Sequence, residues 1–139
     1  MGGQGNDLIS ATVGGNILYG NLGNDTLHGG SGAEIIRGGQ GDDSITAGAG
    51  ADFVSGDRGN DTVAGGTGAD IFHTFSGAGI DRVTDFNLAE GDRVMVDPGT
   101  TWTVAQVGAD TVIDMGGGDQ MILVGVQAST LTGAWIFGA

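Results

Sequence analysis

From Gly2 to His73 the chain repeats one nine-residue pattern eight times, opening with GGQGNDLIS and closing with GGTGADIFH. Written G-G-x-G-x-D-x-U-x, with U a large apolar residue, the pattern is close to complete. Its fourth position is glycine in every copy: Gly5, Gly14, Gly23, Gly32, Gly41, Gly50, Gly59 and Gly68. Its eighth is apolar in every copy: Ile9, Leu18, Leu27, Ile36, Ile45, Val54, Val63 and Phe72. Its sixth is Asp7, Asp25, Asp43, Asp52, Asp61 and Asp70, with Asn16 and Glu34 as the exceptions. A unit this short cannot bury its apolar residue alone. Units must stack, and a fixed short period sets the architecture ahead of any local propensity.

The glycines let the backbone turn through conformations closed to other residues. The x-U-x segment then runs as a short strand with U pointing inward. Each strand needs a turn at either end, so two repeats make one coil. Repeats n and n+2 stack at the ~4.8 Å spacing of neighbouring strands. Two oxygens that each lie ~2.4 Å from one calcium ion sit up to ~4.8 Å apart, so an ion fits between stacked turns. Calcium takes about 6–8 oxygens, and carbonyls of the glycine-rich turns can complete the set. The motif offers no nitrogen or sulfur ligand, which disfavours zinc and copper.

Odd and even copies differ, which supports two repeats per coil. Odd copies place Asn6, Asn24, Asp42 and Asn60 before the sixth position, and even copies place Gly15, Ala33, Ala51 and Ala69 there. The odd edge is complete in Asp, whereas the even edge begins with Asn16 and Glu34. Asn16 offers an oxygen without charge, and Glu34 is one methylene too long for an unshifted loop. At the outward seventh position the even copies carry Ile17, Ile35, Phe53 and Ile71, against Leu8, Thr26, Ser44 and Thr62 in the odd ones. A column of large apolar side chains on an outer face implies a cover. The apolar residues after Phe86, among them Val94, Val96, Trp102, Ile122 and Trp135, are expected to supply it as a docked tail. A dimer through the same column is the rival.

Composition narrows the partners. Seventeen acidic residues face four basic ones, all arginine (Arg37, Arg58, Arg82, Arg93), for a net charge of −13. Such a surface disfavours nucleic acid or an anionic membrane as a direct partner and favours cations. There is no cysteine, hence no disulfide and no thiolate metal site. No N-terminal signal is visible, and no apolar run approaches the ~20 residues of a membrane helix. Met1 abuts a repeat boundary and reads as the start of an expressed fragment whose parent extends upstream.

The repeats resemble those of the RTX (haemolysin-type calcium-binding) family, over about half of the chain. The resemblance implies a calcium-binding parallel β-roll in a secreted protein. It also implies a ligand pattern: carbonyls at positions two and four plus Asp from one loop, and carbonyls at positions one and three plus Asp from the next stacked loop. On this chain one site is Gly3, Gly5 and Asp7 with Gly20, Leu22 and Asp25. The next is Asn21, Gly23 and Asp25 with Gly38, Gln40 and Asp43. A third is Gly39, Gly41 and Asp43 with Gly56, Arg58 and Asp61. On the opposite edge Gly48, Gly50 and Asp52 face Gly65, Thr67 and Asp70. Glu34 with Asp52 makes a weaker pair and Asn16 with Glu34 the weakest, while Asp81 and Asp85 are placed to close the last site. Such sites would hold roughly four to seven calcium ions, given complete oxygen shells.

After His73 the ninefold rhythm lapses. Strands are expected over 81–86, 93–96, 102–107, 111–115, 120–124 and 135–137, separated by turns such as Gly116-Gly117-Gly118-Asp119. The expected fold is all-β: a parallel β-roll over residues 2–73, two repeats per coil, then a capping region over 74–139 of mainly antiparallel strands. The stretch IDRVTDF…EGDRV resembles the segment C-terminal to the repeats in secreted members of the family. There the uncleaved C-terminus is read by a type I secretion system. Many members end on an acidic residue beside apolar ones, whereas here Ala134 precedes Trp135-Ile136-Phe137.

No catalytic motif stands out. His28 and His73 both fall at the outward ninth position and read as surface residues. HExxH and GxSxG are absent, and Ser31 and Ser76 lie among glycines with a structural task. The chain is expected to be non-catalytic, with an upstream effector in the parent that can itself be an enzyme. Two functions fit. One is a module that folds on calcium and supports type I export of that effector. The other is a surface-binding module for a polysaccharide or S-layer, against which the scarcity of outer aromatics beyond Tyr19 argues.

Overall fold

The eighth-position residues form two facing columns, and the strands that carry them form two sheets. The computed structural model describes residues 1–138; Ala139, the last residue of the expected capping region, lies outside the described residues. In chain order the strands are β1 (Gly3–Gln4), β2 (Leu8–Ser10), β3 (Ile17–Leu22), β4 (Thr26–His28), β5 (Ile35–Gln40), β6 (Ser44–Ala49), β7 (Phe53–Arg58), β8 (Thr62–Thr67) and β9 (Ile71–Thr74). They continue as β10 (Ile80–Val83), β11 (Arg93–Val96), β12 (Thr103–Val107), β13 (Asp110–Gly116), β14 (Asp119–Leu123) and β15 (Ile136–Gly138). Short 3-10 turns lie at Leu88–Glu90 and Ala128–Thr130.

Even copies build a seven-stranded sheet in the order β1-β3-β5-β7-β9-β11-β15. Odd copies build an eight-stranded sheet, β12-β13-β14-β10-β8-β6-β4-β2. Pairing is parallel and eighteen residues apart: Ile17 pairs with Ile35, Ile35 with Phe53 and Phe53 with Ile71. The core is the expected pair of columns. Leu27, Ile45 and Val63 on one sheet face Leu18, Ile36, Val54 and Phe72 on the other, all buried. Mid-array strands are longer than the three-residue x-U-x segment, because pairing continues into the next repeat, as at Asn21 with Gly39 and Leu22 with Gln40.

The tail carries the expected antiparallel set, β12–β13–β14, within a mixed arrangement of strands. Most of it continues the roll. β10 joins β8 in parallel, with Val83 beside Val63, and β14 comes next with Leu123 beside Val83. On the other sheet β11 sets Val94 beside Phe72, and β15 sets Ile136 beside Val94. Only β12–β13–β14 is antiparallel. The tail therefore does not cover the even column. Ile17 and Ile35 remain 60% and 42% exposed. Farther along, the Phe53 ring lies 5.5 Å from His73, which lies 5.7 Å from Phe75, so the cover there is local. The physical reason is the last edge of each sheet. A strand added there pairs its backbone and buries its apolar residues at once, whereas a strand laid across the outer face leaves that edge unpaired. Val94 and Val96 are buried inside the roll, and Trp135 packs edge-on against Phe86 at 6.3 Å.

Candidate metal sites

The position-six aspartates Asp25, Asp43, Asp52, Asp61 and Asp70 each split their carboxylate oxygens between two tasks. On the odd edge the Asp7 amide donates to Asp25 Oδ1 (2.7 Å), Asp25 to Asp43 (2.8 Å), Asp43 to Asp61 (2.7 Å) and Asp61 to Asp81 (3.2 Å). On the even edge Glu34 donates to Asp52 Oδ1 (2.8 Å), Asp52 to Asp70 (3.0 Å) and Asp70 to Asp92 (3.0 Å). The Oδ2 atoms of Asp7, Asp25, Asp43, Asp52, Asp61, Asp70 and Asp81 are buried without any hydrogen-bond partner. So are both carboxylate oxygens of Glu34. Buried charged oxygens without partners are costly, and here they recur coil after coil.

Backbone carbonyls converge on the same points. A Cβ added to Gly20 would collide with both Asp25 Oδ2 and the Gly38 carbonyl. One added to Gly38 would meet Asp43 Oδ2 and the Gly56 carbonyl. The carboxylate of one coil and the position-one carbonyl of the next thus flank one cradle that a side chain would fill. Carbonyls at positions two and four face the following coil: Asn21 O abuts Gly39, Gly23 O abuts Gly41 and Gly48 O abuts Gly66. Position-three carbonyls already accept one amide each, Leu22 from Gly5, Gln40 from Gly23, Arg58 from Gly41 and Thr67 from Gly50. Each keeps a second lone pair. Gly41 sits at φ 129° and Gly59 at φ 138°, which only glycine adopts without strain.

The donor set is all oxygen. Among the described residues no cluster of three or more Asp, Glu, His or Cys side chains forms, so any site here must combine two carboxylates with carbonyls. That composition fits calcium and does not suit zinc or copper. Burial, with stacked like charges as a further cause, raises the acids. Asp43 is pushed to about 7 and Asp70 to about 6. Asp81 reaches about 9, with Asp61 beside it as the next cause. Glu34, Asp61 and Asp92 are raised as well, again chiefly by desolvation.

The even edge is irregular where the motif is. Asn16 turns its amide to Val13 O (3.1 Å) and Gly14 O (2.9 Å) in its own loop. At the far end Asp81 behaves as a ladder member, but Asp85 does not. Its two oxygens accept the amides of Gly65 (2.9 Å) and Gly66 (2.7 Å), which ties off the even turn. The place expected for Asp85 is taken by Asp92, which sequence reading missed. Asp92 Oδ1 holds the Asp70 amide, and Oδ2 holds that of Asn87 (2.8 Å). The signal was present as a twice-written D-R-V, at Asp81-Arg82-Val83 and Asp92-Arg93-Val94, each a D-x-U fragment of the repeat. Also missed was a second ladder on the odd edge. Oδ1 of Asn6, Asn24, Asp42 and Asn60 accepts the amides of Asn24, Asp42, Asn60 and Ile80.

His28 is exposed as expected, but His73 is buried. Its Nδ1 lies 3.1 Å from Ser55 Oγ and its Nε2 lies 2.6 Å from Asp97 Oδ1. Burial results from Phe53, Phe75 and Asp97 closing around it. Ser55 is buried too and donates its one proton to Asp57 (2.6 Å). The Ser–His–Asp chain ties β7 and β9 to the segment after β11.

A family model described as RTX calcium-binding nonapeptide repeat (4 copies) matches residues 1–33, 28–63 and 55–78. No curated protein matches the chain. Among solved structures, the AlgE6R3 subunit of the mannuronan C5-epimerase from Azotobacter vinelandii is similar at 23% identity. The match has a TM-score of 0.62 and covers 99% of this chain and 80% of that one. The AlgE6R2 subunit of the same enzyme matches at 22% identity and TM-score 0.55, covering 94% and 92%. The extracellular lipase LipA from Serratia marcescens matches at 16% identity and TM-score 0.53. All of this chain is covered there, and it spans 39% of the lipase. At these identities the likeness is one of fold.

Proposed function

This chain belongs to the RTX calcium-binding nonapeptide repeat family, and from that premise we propose that it is a calcium-triggered folding module serving type I export of an upstream effector. The observation that carries the reading is the ladder of buried, partnerless Oδ2 atoms from Asp7 to Asp81. Ordering this backbone costs about 1–2 kcal/mol per residue, more at glycine. The inner columns add one apolar residue per repeat, and the stacked carboxylates repel. Calcium supplies the positive charge and oxygen-seeking coordination that offset both terms. Where calcium is scarce, as in a cytosol, the chain stays unfolded and threadable. Outside the cell it folds, and that folding biases transport outward. An extracellular location is part of this reading and is supported by the named lipase neighbour.

Circular dichroism tests the core of the proposal. In excess chelator the β signal is expected to be largely lost, and millimolar calcium is expected to restore it. Identical spectra in the two conditions would sink the proposal. Export is tested separately, by secretion of a fused effector with and without residues 2–73.

One observation favours a second reading, attachment to a polysaccharide. A groove of about 500 Å³ runs across the outer face of β3, β5 and β7, lined by Tyr19, Asn21, Arg37, Gln40, Arg58 and Phe75 among others. Two of the four arginines lie there, in a molecule of net charge −13. Asp57 holds Arg37 in a 2.9 Å ion pair, and Arg58 is exposed. Calcium-dependent retention on an acidic glycan that Arg58→Ala removes would support this reading. Equal retention of that variant would reject it.

A further inference from the structure

The two sheets have four outer edges among the described residues. β1 has two residues, and β2 and β15 have three each. Such short edges offer little to pair with, which is one way proteins blunt them. The fourth edge, β12, is different. It runs five residues, Thr103–Val107, and every one of them is exposed. Its inner side pairs residue by residue with β13, from Thr103–Asp114 to Val107–Asp110, without a bulge. No proline interrupts it and no charge guards it. The stretch 98–109 (PGTTWTVAQVGA) carries no charged residue at all, between Asp97 and Asp110. Threonine and valine suit a strand. The hairpin is also held in shape: Gln106 Nε2 donates to Gly108 O (3.1 Å) and Asp110 O (2.8 Å), and Gln106 Oε1 accepts the Ala128 amide (2.7 Å).

We propose that β12 is a self-association edge, on which two copies pair β12 against β12, antiparallel about a two-fold axis at Ala105, to join two eight-stranded sheets into one. Charge selects the occupant. With calcium neutralising the ladder carboxylates, eight other acidic residues against four arginines still leave the outer surface acidic, and the uncharged 98–109 stretch lets two copies approach. The strand is self-complementary in that register: Ala105 meets Ala105, Thr103 meets Val107 and Val104 meets Gln106, with no like charges opposed. Main-chain bonding across an open edge is an established mode of association. A two-fold arrangement uses the edge up, so assembly closes at the dimer.

The calcium-loaded chain is expected to sediment as a concentration-dependent dimer. Added salt should strengthen it by screening the repulsion elsewhere. Ala105→Lys places like charges face to face and should abolish the dimer, while circular dichroism confirms that the roll still forms. The absence of native cysteine permits an independent test. Either kind of antiparallel pair sets opposed Cα atoms ~4.5–5.5 Å apart, within disulfide reach. Ala105→Cys should therefore cross-link to itself on mild oxidation, and Ser10→Cys, on the short β2 edge, should not. A monomer at every concentration and salt overturns the proposal, as does a dimer that survives Ala105→Lys. Equal cross-linking at the two cysteine positions, or open-ended oligomers in place of a dimer, also overturns it.

Discussion

Asp43 and Asp7 occupy the same motif position and differ in what depends on them. Asp43 is buried in mid-ladder, where its Oδ1 holds the Asp25 amide and its Oδ2 faces a cradle with the Gly56 carbonyl across it. Asp7 is half-buried at the first coil. Asp43→Ala strands a buried amide, at about 1–3 kcal/mol, and on the proposed ligand pattern it removes an oxygen from two stacked sites. Asp7→Ala removes one end ligand. Calcium titrations monitored by circular dichroism should show a larger rise in midpoint for Asp43→Ala, and equal shifts would contradict the stacking order. The same carboxylates set the pH response. In chelator, Asp43, Asp70 and Asp81 have folded values of about 7, 6 and 9 against an ordinary 3.8, so the folded state holds protons that the unfolded chain releases. Their stabilising contribution is fully present below 3.8 and is lost as pH rises through about 6 to about 9. Calcium reverses the sign, because it must displace those protons. Without calcium, β structure should increase on acidification; with calcium, the midpoint should rise as pH falls from about 8 to about 6. The same direction in both conditions would refute the coupling. At this scale the ladder aspartates were legible, since six of them recur at one position. His73 was not, because its burial depends on Asp97, twenty-four residues away.

The strands themselves were legible; their pairing partners beyond His73 were not. Inward residues alternate clearly enough to place 93–96 as β11. The same alternation cannot distinguish a parallel strand that extends the roll from an antiparallel one that caps it. The deciding contacts are long-range, such as Arg93 with Ile71, and the insertions between D-R-V units disguise the register. The join between roll and tail is aromatic. Phe72 is fully buried on β9, its ring lies 6.1 Å from Phe86, and Phe86 leads to Trp135. Phe72→Ala should therefore destabilise the calcium-loaded protein by about 3–5 kcal/mol, measured by denaturant. It should also loosen Trp135, seen as a shift in tryptophan emission. Ile17→Ala, on the exposed outer column, should change neither by much. If the two substitutions cost the same, the inner columns are not what holds the coils together.

The whole molecule is a stack in which each coil touches mainly its neighbours, so stability is expected to vary along its axis. At one end β2 is short, Leu8 is 72% exposed and Ile9 only half-buried. Through the middle Leu27, Ile36, Ile45 and Val54 are sealed, and each ladder aspartate has neighbours on both sides. Toward the other end Asp81 and Asp92 extend the ladders, while Asp85 and Asp119 tie off turn amides. β14 and β15 pair with the last coil there. Amide hydrogen exchange at saturating calcium should thus rank β2 fastest, then β4, with β6 to β11 slowest. Lowering calcium should erode protection of this chain from the β2 end inward, because among the described residues β2 pairs on one side only. Uniform loss along the axis would mean that the roll melts as a single unit, and that the added strands at the Asp81 end do not anchor it.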